Sequence, residues 1–159
     1  MSETVSVSLE QISDYEFRVR FDESAIADLT TDLSAPLGND AGPNPERLLT
    51  AAVANCLSAS LLFSLSKFKN IPGGKLRATA TSETGRNAEK RVRVANISVK
   101  LELPGVAADY QSLDRVLSQF ENFCTVTESV RDGVEVAIAV VDSSGATLHT
   151  SRAGGAAAA

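Results

Sequence analysis

The 159-residue sequence has a single histidine, His149, and only two cysteines, Cys56 and Cys124. These are too few ligands, in too few places, for a tetrahedral zinc site, and no CxxC or HxxxH pair begins one. A Ser/His/Asp or Cys/His hydrolase fails on the same count, because the lone histidine adjoins an Ala- and Gly-rich end that reads as a frayed tail. Glycine is short where phosphate chemistry would want it: Gly73-Gly74 is too brief to form a cradle. Basic charge is in deficit, with 15 Lys and Arg against 20 Asp and Glu and a formal net charge of -5, so neither nucleic acid nor an anionic membrane surface is an expected partner. The longest apolar run, residues 51–65, is interrupted by Asn55, Ser58, Ser60 and Ser64 and falls short of the roughly 18 apolar residues that a membrane span requires. Met1-Ser2-Glu3-Thr4-Val5 lacks the basic head and apolar core of a secretory signal, which predicts a cytoplasmic protein. In a reducing cytosol, two thiols are expected to be free, catalytic or redox-sensing and not a permanent staple.

What the chain does contain is an ordinary globular balance, 43% hydrophobic and 22% charged, sufficient for one domain over residues 1–150 with a disordered tail at 151–159. Val5, Val7 and Leu9 alternate with polar residues, as do Tyr15, Phe17, Val19 and Phe21, so two half-buried strands should pair as a hairpin turning near Ile12-Ser13-Asp14. A third strand is expected within Ile26–Ser34, followed by a loop crowded with Pro36, Gly38, Asn39, Asp40, Gly42 and Pro43. Asn44 as N-cap, Pro45 at the first helical position and Glu46 in the first turn then open a long helix running to about Lys69. Leu49, Val53, Cys56, Ser60 and Phe63 form its expected inner stripe, and its density of small residues predicts burial on most sides.

Two strands should follow, Lys75–Thr84 and Arg91–Leu103, with a bulge at Ala95-Asn96 where the apolar phase slips. Leu113, Val116, Leu117 and Phe120 have helical spacing. Thr125 and Glu128 match a capping box for a short helix beginning just after Cys124, and Val134–Val141 reads as the last strand. Strands, long helix, strands, paired helices and strand make an α+β domain with helices packed on a mostly antiparallel sheet.

The two thiols differ in setting. Cys56 sits mid-helix among apolar residues, where a cysteine commonly serves as a small packed hydrophobe. Cys124 falls at a helix start, where the dipole and free backbone N–H groups favour a thiolate, so on local grounds it is the easier one to activate. Sixty-eight positions separate them, so any relation between them must be spatial.

The run Gly42-Pro43-Asn44-Pro45-Glu46-Arg47-Leu48-Leu49, continued by Ala51-Ala52-Val53-Ala54-Asn55-Cys56, resembles the segment that opens the central helix in the OsmC/Ohr family of osmotically inducible and organic hydroperoxide resistance proteins. Phe123-Cys124-Thr125-Val126-Thr127-Glu128-Ser129 resembles the family's second cysteine segment, and the element order matches from about residue 3 to 142. The resemblance implies an OsmC-like fold, an intertwined homodimer with active sites at the monomer interface, and no cofactor. It further implies a thiol peroxidase for organic hydroperoxides, with Cys56 as the peroxidatic residue, Cys124 as the resolving one, and a lipoyl-type dithiol as reductant. In the family an arginine held by a glutamate activates the first thiol, and Glu46 stands at the matching glutamate position. Ten residues are about 15 Å along a helix and roughly 80° around it, so Glu46 cannot itself touch the Cys56 of its own helix. The sequence departs from the family at the arginine: the stretch 22–46 contains none, and Arg18, Arg20 and Arg47 are the nearest candidates. Arg18 and Arg20 lie on the polar face of a strand. Arg47 opposes the dipole in the first helical turn and calls for a compensating carboxylate.

Two further readings stand beside the peroxidase. One is a redox-sensing or small-molecule-binding member that keeps the fold and the thiols without fast peroxide reduction. The other is a domain with two inert buried cysteines and an unrelated interaction role.

Overall fold

The computed structural model describes residues 3–71 and 73–153. The chain divides into two compact units, 1–48 and 49–159.

The first unit carries a three-stranded antiparallel sheet of β1 (Val7–Ser13), β2 (Glu16–Phe21) and β3 (Leu29–Thr31), in that order. The expected hairpin forms, with Val7 opposite Phe21 and Leu9 opposite Val19, and it turns at Asp14, whose φ of 41° is left-handed. Half-burial of the first strand does not follow, because every residue of β1 is exposed, Val7 by 50% and Leu9 by 59%. Three strands and a loop supply no second layer to cover that strand within the unit.

The loop after β3 is knotted around Asp32, whose buried carboxylate accepts the N–H groups of Leu33, Asn39 and Ala41 at 2.7, 2.8 and 3.1 Å. Those bonds hold its pKa below the usual carboxylate value, against the opposing effect of burial. A Cβ at Gly38 would collide with the Leu33 carbonyl and the Asp32 carboxylate, so this turn requires glycine.

Helix α1 spans Pro45–Lys67, with Asn44 as the cap that the sequence predicts: its Oδ1 accepts the Arg47 N–H at 2.9 Å. At the far end the helix stops two residues earlier than expected. Lys69 turns left-handed at φ 59°, the Asn70 N–H reaches back to the Leu65 carbonyl, and the Asn70 side chain clasps the Gln111 backbone at both N–H and carbonyl.

The inner stripe of α1 is Thr50, Val53, Leu57, Ser60, Leu61, Ser64 and Leu65, rotated from the expected one so that Phe63 and Leu62 are exposed by 52% and 44%. A helix apolar nearly all round gives periodicity no basis for choosing a face. For the same reason α1 is long and apolar enough by composition to cross a membrane, with mean hydropathy 1.8 over 18 residues. Val53, Leu57, Leu61 and Leu65 are nevertheless buried in the protein's own core.

The second unit's sheet runs β4 (Arg77–Arg86), β5 (Val92–Glu102), β6 (Glu135–Val141) and β7 (Thr147–Ala153). β4–β5 and β6–β7 are antiparallel and β5–β6 is parallel, so a crossover must join the last pair. It consists of a 3-10 turn at Ala107–Asp109, α2 (Leu113–Gln119), a second 3-10 turn at Phe120–Phe123 and α3 (Thr125–Val130). The bulge falls where the apolar phase slips: Glu83 pairs with Asn96 and Thr84 with Val94, leaving Ala95 over. Ile97, Val99 and Leu101 of β5 and Val136, Ile138 and Val140 of β6 face α1, Val116, Leu117 and Phe120 in one core cluster.

The end of the chain corrects the sequence reading. Thr147–Ala153 is not a frayed tail but the edge strand β7, with His149 opposite Val140 and Arg152 opposite Ala137. Of the expected tail, residues 151–153 complete this strand, and 154–159 lie outside the described residues.

Candidate active site

Cys56 is placed midway along α1, on the border between its buried and exposed faces, and is half-buried. Cys124 is placed by the crossover as the last residue before α3 and is wholly buried. The fold makes the two thiols side-chain neighbours, and both are free.

The capping box expected at Thr125 and Glu128 does not form. Cys124 is the N-cap, its side chain makes no capping bond, and Glu128 instead pairs with Arg131 at 3.2 Å. The Cys124 Sγ lies 2.9 Å from Oγ1 of Thr127, itself wholly buried. The expected preference of Cys124 for the thiolate is also overturned. Burial raises its pKa above the ordinary 9.0, the Thr127 hydroxyl draws it partly back, and the neighbouring Cys56 raises it again. A helix of six residues supplies too little dipole to outweigh desolvation.

A cleft of about 510 Å³ is lined by Cys56, Ala59, Ser60, Phe63, Asn122, Phe123 and Thr125. Cys56 opens onto it; Cys124 does not. Phe63 and Phe123 meet edge to face at 5.1 Å, and the Lys67 ammonium lies over both rings, 4.8 Å from the Phe123 centroid and 5.7 Å from that of Phe63. The two rings and Ala59 thus make an apolar portion of a lining that also carries Ser60, Asn122, Thr125 and the Cys56 thiol.

The candidate arginines all have local carboxylates. Arg20 pairs with Glu10 at 3.2 Å and with Asp28 at 3.6 Å, and Arg18 approaches Asp28 at 3.9 Å. The compensating partner that Arg47 requires is Asp40, at 3.3 Å, with both side chains more than half exposed. Glu46 is half-buried in the first turn of α1.

Sequence reasoning missed a second polar group, built on the turn that precedes Cys124. Glu121, in the 3-10 turn, receives His149 Nε2 at 2.7 Å and Arg131 Nη2 at 3.6 Å, all three side chains being mostly buried. His149 also meets the Phe120 ring edge to face at 5.5 Å. Strand-forming Thr147, Leu148 and Thr150 around His149 were the signal available for it. Among the described residues no group of three or more His, Cys, Asp and Glu is arranged to hold a metal ion.

The sequence model of the OsmC-like proteins matches residues 38–139, which includes both cysteines. The chain belongs to the OsmC-like protein family. No curated protein matches it by sequence. Solved structures of similar fold include an OsmC-like protein from Mycoplasma pneumoniae, 14% identical, with TM-score 0.72 over 89% of this chain and 99% of that one. An organic hydroperoxide resistance protein from Elizabethkingia anophelis, with crystallant-derived thiocyanate bound, is 19% identical with TM-score 0.71 over 89% and 98%. An organic hydroperoxide resistance protein OsmC from Legionella pneumophila is 17% identical with TM-score 0.66 over 87% and 96%. At such identities these likenesses establish the shared OsmC fold.

Proposed function

We propose that this OsmC-like protein is a thiol-dependent peroxidase that reduces organic hydroperoxides in the cytoplasm. The observation that carries the reading is the pairing of two thiols, one on the cleft and one beneath it. Cys56 thiolate attacks the outer peroxide oxygen, the O–O bond breaks, the alcohol leaves with a proton, and Cys56 becomes a sulfenic acid. Cys124 then displaces water from that sulfenic acid to form the Cys56–Cys124 disulfide, and a lipoyl-type dithiol reduces it. The Phe63 and Phe123 walls suit an alkyl or acyl substituent better than hydrogen peroxide.

The hydroperoxide resistance proteins among the structural relatives support this reading. The test is peroxide consumption with a dithiol reductant, run beside Cys56→Ser. Consumption by the wild type and none by the variant is expected; undiminished consumption by the variant would refute the assignment.

A homodimer is part of the proposal. Ala51, Ala52, Asn55, Ala59, Leu62 and Phe63 leave a small-residue, apolar face of α1 exposed, as a second helix packing closely would require. Sedimentation should give a dimer at micromolar concentration, and a stable monomer would rule it out.

A second reading, a redox-sensing or ligand-binding member without fast peroxidase activity, is favoured by one observation: 22–46 contains no arginine, and Arg18, Arg20 and Arg47 already have carboxylate partners. The same assay separates the two readings by rate.

A further inference from the structure

We infer that Glu121, clasped by His149 and Arg131, is a positioning residue that sets Cys124 against Cys56; the inference rests on the proposed thiol pair. Cys124 is held by short elements: the Phe120–Phe123 turn before it and the six-residue α3 after it. Neither is long enough to be stable alone, so tertiary ties must fix them. The packing ties are Phe120, Cys124 and Thr127, all wholly buried.

The polar tie is the clasp. Glu121 stands three residues before Cys124, and its carbonyl accepts the Cys124 N–H at 2.9 Å. Its carboxylate takes His149 of β7 on one oxygen and Arg131, at the other end of α3, on the second. Arg131 therefore closes across α3 while His149 pins the turn to the sheet. Glu128 is the remaining charged partner of Arg131 and is about half exposed. Nε and Nη2 of Arg131 are buried without a hydrogen-bond acceptor, so this guanidinium is balanced by charge: Glu128 at 3.2 Å from Nη1 and the less exposed Glu121 carboxylate at 3.6 Å from Nη2. Asn122 and Phe123, between Glu121 and Cys124, line the cleft, so displacement of this turn moves both the wall and the thiol.

The consequence is a local effective concentration of Cys124 thiol at Cys56 that depends on the clasp. It can be read without peroxidase activity. An azodicarboxamide oxidant takes two electrons and two protons from the dithiol, leaving the Cys56–Cys124 disulfide and a hydrazine. Equilibration with a dithiothreitol buffer of graded oxidation then gives the reduction potential.

Glu121→Gln and His149→Leu should each lower the equilibrium constant for the disulfide about tenfold, a rise in potential of about 30 mV. His149→Gln, which still offers a side-chain N–H to Glu121, should retain more than half of the wild-type constant. Peroxide assays with the same variants should find resolution of the sulfenic acid slowed and its formation unchanged. A wild-type potential in Glu121→Gln and His149→Leu, or an equal loss in His149→Gln, overturns the inference. Absence of peroxide turnover in the wild type refutes the peroxidase reading instead and leaves the potentials to decide the clasp. If Glu121→Gln fails to fold, the His149 pair, on an edge strand, decides it.

Discussion

Thr127→Val tests the local chemistry of the buried thiol with little change of volume. The substitution replaces a wholly buried hydroxyl by a methyl and removes the group 2.9 Å from Cys124 Sγ. A neutral hydrogen bond contributes about 0.5–1.5 kcal/mol net, and a thiol is a weak partner, so the loss should be about 0.5–1 kcal/mol. Melting should then fall by about 2–4 °C for a unit of this size. The Thr127 hydroxyl also opposes the effect of burial on the Cys124 pKa, so without it Cys124 should ionise at still higher pH.

If the bond orients Cys124 and favours its thiolate, 0.5–1 kcal/mol corresponds to sulfenic acid resolution about two- to fivefold slower, with its formation untouched. The assay is rapid quench of the oxidised protein, with dimedone capturing the sulfenic acid at successive times. Ultraviolet titration of the thiolate in a Cys56→Ser background gives the ionisation directly. Thr127→Ser restores the hydroxyl and should recover both the rate and the titration while leaving a small cavity. Unchanged titration and resolution in Thr127→Val, or equal slowing of both chemical steps, would refute the reasoning.

Cys56→Ser should abolish peroxide consumption, whereas Cys124→Ser should consume about one equivalent and then accumulate overoxidised Cys56, seen by mass spectrometry; the reverse pattern would exchange the roles. The lowered pKa of Asp32 also sets an acid limit. Its contribution to stability is complete above the unfolded carboxylate value and is lost as pH falls through the lower folded value, so Asp32→Asn should lower melting clearly at pH 7 and much less near pH 2. Equal losses at both pH values would show that the charge is not the source.

The fold was legible wherever local chemistry and periodicity agreed. Asn44, Pro45 and Glu46 announce the start of α1, and the phase slip between Val94 and Ile97 locates the bulge because alternation is strict elsewhere in β5. What failed was the choice of face and the fate of the end. α1 is apolar all round, so the contacts of Leu57 and Leu61 with the sheet, and not any pattern in the helix, decide that Phe63 faces out. β7 is an edge strand whose residues His149 and Arg152 are polar, and its place comes from pairing with β6, which lies six residues back across a turn closed by Asp142. Asp142 Oδ1 accepts the Ser144 and Ala146 N–H groups, a tie that composition alone does not reveal.

The two cysteines show how position in a fold reverses a local argument. A thiol at a helix start gains from the dipole only if the helix has enough aligned peptides and the charge remains partly solvated. α3 has six residues and Cys124 has no exposed surface, so desolvation is the larger effect and the thiol keeps its proton. Cys56, without any local advantage, opens onto a cleft that Cys124 does not reach. On the proposed peroxidase reading, access orders the chemistry: an incoming peroxide meets Cys56, and Cys124 attacks, as its thiolate, once Cys56 carries the sulfenic oxygen. Within that proposal burial of Cys124 has a use, because a resolving thiol held neutral and away from the cleft is shielded from direct attack on the incoming peroxide.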